Sequence, residues 1–326
     1  MSLVIGRQGY FGIAIESVAG TPENNPVVFL PFTDNSLEVV AEKLSDISSR
    51  ASRVLNHDSV EGRKWTEGDI SMYLDSINSG YLFKLAMGSE VKTQVSVSPA
   101  VDNHQFIITA SGNSPLTATG WLYRGSGVSV KRTSRLAVNS LDVEITNDDM
   151  ATMTASFIGS ESDNVNAPSL LTTSGTVYSW ANANVKFGSD VNDAKNQTAT
   201  KLTNFQFSLN NNLEPIFRSG SSSLDNLFTK NCEVTGEYTL FFENDVHLDY
   251  YRNNTKRTMI VTLTGANLGG QFETLEIIFE RIVLEDKSIE TGQDSLFAIT
   301  GTFRAINDIV GQIMVVNLSN GKTTVY

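Results

Sequence analysis

The stretch Glu67-Gly-Asp-Ile-Ser-Met-Tyr-Leu-Asp75 returns, altered but recognisable, as Thr235-Gly-Glu-Tyr-Thr-Leu-Phe-Phe-Glu243. In both, a glycine and an acid lead into apolar residues that alternate with polar ones, the period of a half-buried strand. Working outward, Asn35-Ser-Leu-Glu38 is echoed by Asn211-Asn-Leu-Glu214, and Met153-Thr-Ala-Ser-Phe157 by Ile299-Thr-Gly-Thr-Phe303. The order is kept while the loops between differ in length. The pattern predicts one β unit present twice in tandem. Two similar faces on one chain fill two similar places in a ring, so duplication points to an assembly part.

Length agrees, since 326 residues suit roughly two domains of about 150 residues each. With 40% hydrophobic and 18% charged residues, the chain has the composition of a folded globular protein. Abundant Ser, Thr and Asn favour strands and turns over helices. The formal net charge of −12 argues against a protein that clamps nucleic acid, which needs clustered Lys and Arg. It does not argue against a surface past which DNA slides. The lone Cys232 cannot form an internal disulfide, and its strand-like surroundings predict a small buried apolar residue. No apolar run is long enough for a membrane span. The opening residues do not read as a secretion signal, so a cytoplasmic protein is expected.

Strands are expected at 8–18, 27–30, 37–40, 68–75, 91–97, 105–110, 120–123, 137–146 and 150–158. Further strands are expected at 178–187, 202–209, 233–243, 257–264, 273–285 and 295–305. Tyr81, Leu82, Leu85 and Ala86 share a helical stripe that Gly88 ends, so a helix is expected over 76–88. A shorter one is expected over 244–254. Residues 42–64 and 215–231 read as long polar loops, which in compact domains usually carry contacts. The divisions drawn are a first unit at 1–160, a linker at 161–176, a second unit at 177–306 and an extension at 307–326. The apolar Ile313-Met-Val-Val-Asn-Leu318 in that extension is a candidate for pairing with a neighbour.

The search for chemistry finds none. His57, His104 and His247 lie apart and in no metal-ligand spacing. Gly125-Ser-Gly127 lacks the third glycine of a phosphate loop and reads as a tight turn. The acids at Asp148-Asp149, Glu243–Asp245 and Glu285-Asp286 lack calcium-loop spacing. No catalytic residue, cofactor or metal is expected, and the chain is expected not to be an enzyme.

Tyr10-Phe-Gly-Ile-Ala-Ile-Glu16 with Gly20-Thr-Pro22, Leu37-Glu38 before a polar stretch, and Tyr81-Leu-Phe-Lys-Leu-Ala-Met-Gly88 resemble tail tube proteins of long-tailed bacteriophages. So do Phe205-Gln-Phe-Ser-Leu209 and Val234-Thr-Gly-Glu-Tyr-Thr-Leu240. The likeness runs over roughly residues 8–305. It implies a mainly β protein, a duplicated β-sandwich or barrel-forming unit with a flanking α-helix in each copy, and units that pair edge to edge. It implies a virion protein assembled in the host cytoplasm, in rings stacked into a hollow tail tube that carries DNA. Two units per chain imply a ring of three copies with pseudo-sixfold symmetry; six copies are the alternative. Tape-measure, tail-tip and tail-terminator proteins of the same phage are the implied partners, with DNA passing unbound and no membrane. Arg50, Arg53, Arg63 and Lys64 are candidates for contacts between rings, and some acids are expected to face the channel. A glycan-binding adhesin using Trp65, Trp121 or Trp180 is the rival, as is another tube-fold virion part of the baseplate or capsid.

Overall fold

The computed structural model describes residues 9–48, 53, 56–109, 112, 114–125, 128–241, 245–290, 297–307 and 312–326. Up to the expected linker the strands are β1 (Tyr10–Ile15), β2 (Val28–Leu30), β3 (Asp34–Asn35), β4 (Glu38–Asp46), β5 (Asp58–Tyr73), β6 (Gly88–Val97), β7 (Ala100–Ile108), β8 (Ala118–Tyr123), β9 (Val130–Thr146) and β10 (Thr152–Gly159). Helix α1 (Ser79–Met87) lies between β5 and β6. There follow β11 (Asp163–Val165), β12 (Ala183–Gly188), α2 (Val191–Asn196), β13 (Leu202–Asn210), β14 (Leu213–Ile216), β15 (Asn226–Thr229), β16 (Glu233–Phe241) and α3 (Val246–Arg252). The chain ends with β17 (Arg257–Asn267), β18 (Phe272–Glu290), β19 (Ala298–Ala305) and β20 (Met314–Asn320).

Two long strands organise the molecule. The second half of β9 and the second half of β18 belong to one antiparallel ladder of seven strands, in the order β5–β10–β9–β13–β16–β19–β18. The first half of β18 belongs to another ladder, β6–β7–β20–β18–β17–β12. The first half of β9 pairs with β8 and β11, and β8 leads on to β1 and β2. Strands β3 and β4 flank β5.

The expectation of a sandwich or barrel-forming unit is corrected here. The structure is mainly β with some helices, and no sheet closes into a barrel or curls strongly. The pairings show why. They branch at β9 and β18 but never return to their start, so the ladders are joined rather than closed. Closure needs the last strand to meet the first. Here β6, β12, β4 and the second half of β18 each have one side without a strand partner among the described residues.

The core lies where apolar faces of the ladders meet. Across one ladder run Phe106, Val316, Ile277, Val261 and Val185 in register, all fully buried. Across the other run Met72, Met153, Val143, Phe207, Gly236, Phe303 and Leu284. Phe279 meets Phe205, Phe207 and Phe303 between them. Offset and edge-on ring contacts of this kind add to simple area burial.

Helix α1 starts after Asn78 and stops at Gly88, whose φ of 84° closes the end in the left-handed conformation that glycine tolerates. Every residue of it but Lys84 is buried, so it is a core element and not a surface one. Helix α2 lies in a polar stretch for which no element was expected; its Asp190 side chain accepts from the Asp193 amide as an N-cap. Residues 42–64 were also expected as loop, yet much of that stretch forms a β4–β5 ribbon. Both faces of that ribbon are largely exposed, so no apolar alternation marked it. The extension expected to seek a neighbour instead places β20 between β18 and β7 of its own chain.

Candidate assembly surfaces

The outer face of the seven-stranded ladder is polar by alternation. Behind the row of core residues, each strand turns the intervening side chains outward. One outward row reads Ser71, Thr154, Asp142, Ser208, Thr235 and Arg304. The next reads Tyr73, Thr152, Glu144, Gln206, Glu237, Thr302 and Asp286. Asp69 and Glu233 extend the face at one end. These positions carry several carboxylates and one cation, Arg304, which is itself paired with Glu285. Gln206 stands between Glu144 and Glu237, and Ser208 beside Asp142. Neutral spacers keep like charges from facing each other directly across a strand pair, an arrangement that would destabilise the sheet. A hollow of about 450 Å³ lies over this face, lined by Asp142, Glu144, Gln206, Glu237 and Thr302 among others.

The ribbon of β4 and β5 is a second surface. Arg63 and Lys64 stand on it. Arg63 approaches Glu42 at 3.7 Å and stacks its guanidinium 5.3 Å from the Phe217 ring. Lys64 pairs with Glu61, and its ammonium lies 3.9 Å from Glu161. Arg53 is exposed near the ribbon's tip, and Arg50 lies outside the described residues. The ribbon does not stand alone. The Lys64 amide donates to the Ser222 carbonyl at 2.8 Å, and Trp65 meets Phe217 edge-on at 5.8 Å. The two stretches expected as separate contact loops, 42–64 and 215–231, thus pack together. Leu44 and Val60, paired across the ribbon, are both more than half exposed.

A third feature went unseen in the sequence. The Tyr326 ring lies against Gly80 of α1, edge-on to Tyr81 at 4.9 Å and to His104 at 4.8 Å. Its hydroxyl accepts from Asn320 at 2.7 Å, and its amide donates to Glu90 at 3.0 Å. Lys84 and His104 both reach the buried Glu90, at 3.0 and 2.7 Å. The second ring nitrogen of His104 lies 2.8 Å from the Lys322 carbonyl. Burial pushes the Glu90 carboxyl up, but the bonds from His104, Lys84 and the Tyr326 amide hold it below its ordinary value. Residues after β20 therefore fasten α1 to the β6–β7 hairpin.

The remaining candidates are structural. Burial pushes the Cys232 thiol up to about 11, which makes it a poor nucleophile at neutral pH. Trp121 is buried, and Trp65 donates to Glu67 at 2.8 Å. His247 packs edge-on to Phe187 at 5.0 Å, and His57 is held through its amide by the Asp46 carbonyl. Among the described residues no group of His, Cys, Asp and Glu is placed to hold a metal. No helix among them is long and apolar enough to cross a membrane.

Compared with known protein families, residues 6–305 match the family described as "Phage tail tube protein". No curated protein matches the chain.

Proposed function

The chain belongs to the phage tail tube protein family, and from that premise we infer how it builds the tube and which face meets the DNA. As a family member it is a structural virion protein of the phage tail, and it assembles with itself. Three copies form each ring, and the rings stack into a hollow tube. Tape-measure, tail-tip and tail-terminator proteins of the same phage bound that tube.

The three-copy ring follows from reading 1–160 and 177–306 as two units. Gly68 stands opposite Phe157 in β5 and β10, as Gly236 stands opposite Phe303 in β16 and β19. The register slips by one residue at the same place, between Ser156 and Phe157 and between Thr302 and Phe303. Helix α1 lies on β9, and α3 on β18. Two equivalent units per chain put six units in a ring of three. The echo of Asn35–Glu38 in Asn211–Glu214 fits less simply, because Leu37 stands at Gly68 and Phe207 at Gly236, while Leu213-Glu214 lies in β14.

The observation that carries the DNA-facing role is the acidic outward face that runs unbroken from β5 to β18. Duplex DNA bears about one negative charge per 1.7 Å of axis. A wall of carboxylates and hydroxyls repels it, and the one cation in those rows, Arg304, is already paired with Glu285. Arg63 and Lys64 with the ribbon that holds them, together with Arg53 and Arg50, meet the next ring. Electron microscopy of polymerised protein tests the assembly. Hollow tubes with threefold chain symmetry are expected. Sixfold chain symmetry removes the three-copy ring, and a protein absent from the tube of the native tail removes the function.

A further inference from the structure

The chain contains a joint between its two halves, and both members of that joint occur again with one side open. The joint is β9 against β13. Val143 faces Phe207, Asp142 faces Ser208 and Ser140 faces Asn210. On its far side β13 meets β16, where Phe207 stands across from Gly236.

Strand β18 repeats the part played by β9. Across from Phe157 is Val138, and Val143 follows five residues later. Across from Phe303 is Leu284, and Ile289 follows at the same spacing. The shared register slip makes this count unambiguous. Among the described residues, however, β18 beyond Ile282 pairs with β19 alone. Its other side has no strand, the Lys287 amide is taken up by the Asp286 carboxylate at 2.7 Å, and Ile289 remains 37% exposed.

Strands β3 and β4 repeat the part of β13. They run along β5 as β13 runs along β16, with Leu37 packed on Gly68. The Ser36 amide donates to the Asp69 carbonyl at 2.9 Å, so the backbone groups of Leu37 face away from β5. There, among the described residues, the Leu37 carbonyl accepts from an arginine side chain, Arg124, at 2.8 Å and from no strand. An unpaired edge is a template for another strand. One chain thus carries a matching pair of open edges, and a second copy of itself is the partner that fits both.

We propose that β18, over Asp286–Ile289, pairs antiparallel with Leu37–Val40 of a neighbouring copy, in the register that β9 uses with β13. Ile289 then lies across from Leu37 of that copy, and Ser288 across from Glu38. The contact is heterologous, since one edge meets a different edge, so repetition propagates from copy to copy and closes when the rotation allows. It covers the exposed Ile289 and gives the two edges strand partners where side chains of Asp286 and Arg124 now stand, as strand addition does elsewhere. The proposal rests on the self-assembly reading above and adds the edges and the register.

The test uses Glu38→Cys with Ser288→Cys in a Cys232→Ser background. Opposed side chains in an antiparallel pair have Cβ atoms about 4.5–5.5 Å apart, close to what a disulfide spans. Both sites are solvent-facing, and circular dichroism checks that the fold is kept. Oxidised assemblies are expected to give a ladder of covalently linked chains on a denaturing gel. Lys43→Cys with Ser288→Cys, displaced along β4, is expected to stay unlinked. Failure of the first pair to link, or equal linking by the displaced pair, overturns the joint. Electron micrographs of the same sample separate the two ideas: tubes without links sink only the joint, whereas a chain that neither assembles nor links counts against self-assembly as well.

Discussion

A methyl group has no room at Gly236. A Cβ there would stand 2.5 Å from the Gln206 carbonyl oxygen and 2.5 Å from the Phe303 ring. Its counterpart Gly68, at φ +144°, would put a Cβ 2.5 Å from the Ser36 carbonyl oxygen. In both cases the obstacle includes the backbone of the adjacent strand, which cannot swing aside as a side chain does. Gly236→Ala is therefore expected to destabilise the fold by about 1–3 kcal/mol, as overpacking typically does, read from the midpoint of denaturant unfolding. An unchanged midpoint would mean that β13 and β16 are not this close. Glu90 gives a pH-dependent counterpart. Its folded value lies below the ordinary carboxylate one, so its contribution is present above the unfolded value and lost as pH falls through the folded one. Glu90→Gln should be less stable than the parent at pH 7, and the gap should narrow as pH drops below 4.5, the ordinary value. A gap that widens on acidification would contradict the Glu90–His104–Lys84 arrangement.

At the scale of elements, β20 binds the parts of the molecule together. It lies between β7 from one side of the expected linker and β18 from the other. Leu318 is fully buried in it. Leu318→Ala is expected to cost about 2–5 kcal/mol and to shift a single unfolding transition. Two separated transitions would show that the halves unfold independently and that β20 does not couple them. The ribbon behaves differently. Arg63 is mostly exposed and its pair with Glu42 is long, so such an ion pair adds little to stability. Arg63→Glu is expected to leave the unfolding midpoint within about 0.5 kcal/mol while shortening tubes, measured by electron microscopy. Tubes of parental length would remove Arg63 from the contact between rings. Legibility also divides by element. The β5 and β16 cores were readable because one face of each is buried and its period shows, and α1 because its apolar residues sit at helical spacing and run into the stop at Gly88. The β4–β5 ribbon was not, because water covers both of its faces and nothing selects an alternation. Helix α2 leaves no such mark although its Asp190 cap is in the sequence, since six residues hold too little period to outweigh their polarity.

For the whole molecule, the echoes at Gly68 and Gly236 could be read directly, but the acidic face could not. Asp142, Glu144 and Glu237 lie far apart in sequence and become neighbours only through the registers of β9, β13 and β16. Composition announced the excess of acid without placing it. The open, branched sheet was hidden for a similar reason, because the lengths of β9 and β18, which let each serve two ladders, emerge only when their partners are known. The placement has a consequence that can be measured. With Asp142, Glu144 and Glu237 each changed to Lys, the face gains cations where Arg304 is now alone and paired. All three side chains point outward and are partly or fully exposed, so the fold and the tubes should persist. Phosphates that pass the parental wall unbound would then meet ammonium groups and displace their counterions. Tubes of the triple variant are expected to retain duplex DNA at low salt and to release it as salt rises, with a slope of about 0.9 per phosphate neutralised. Parental tubes should retain none at either salt. If the variant tubes hold no more DNA than the parent, this face does not line the channel and the repulsion argued for it belongs to another surface.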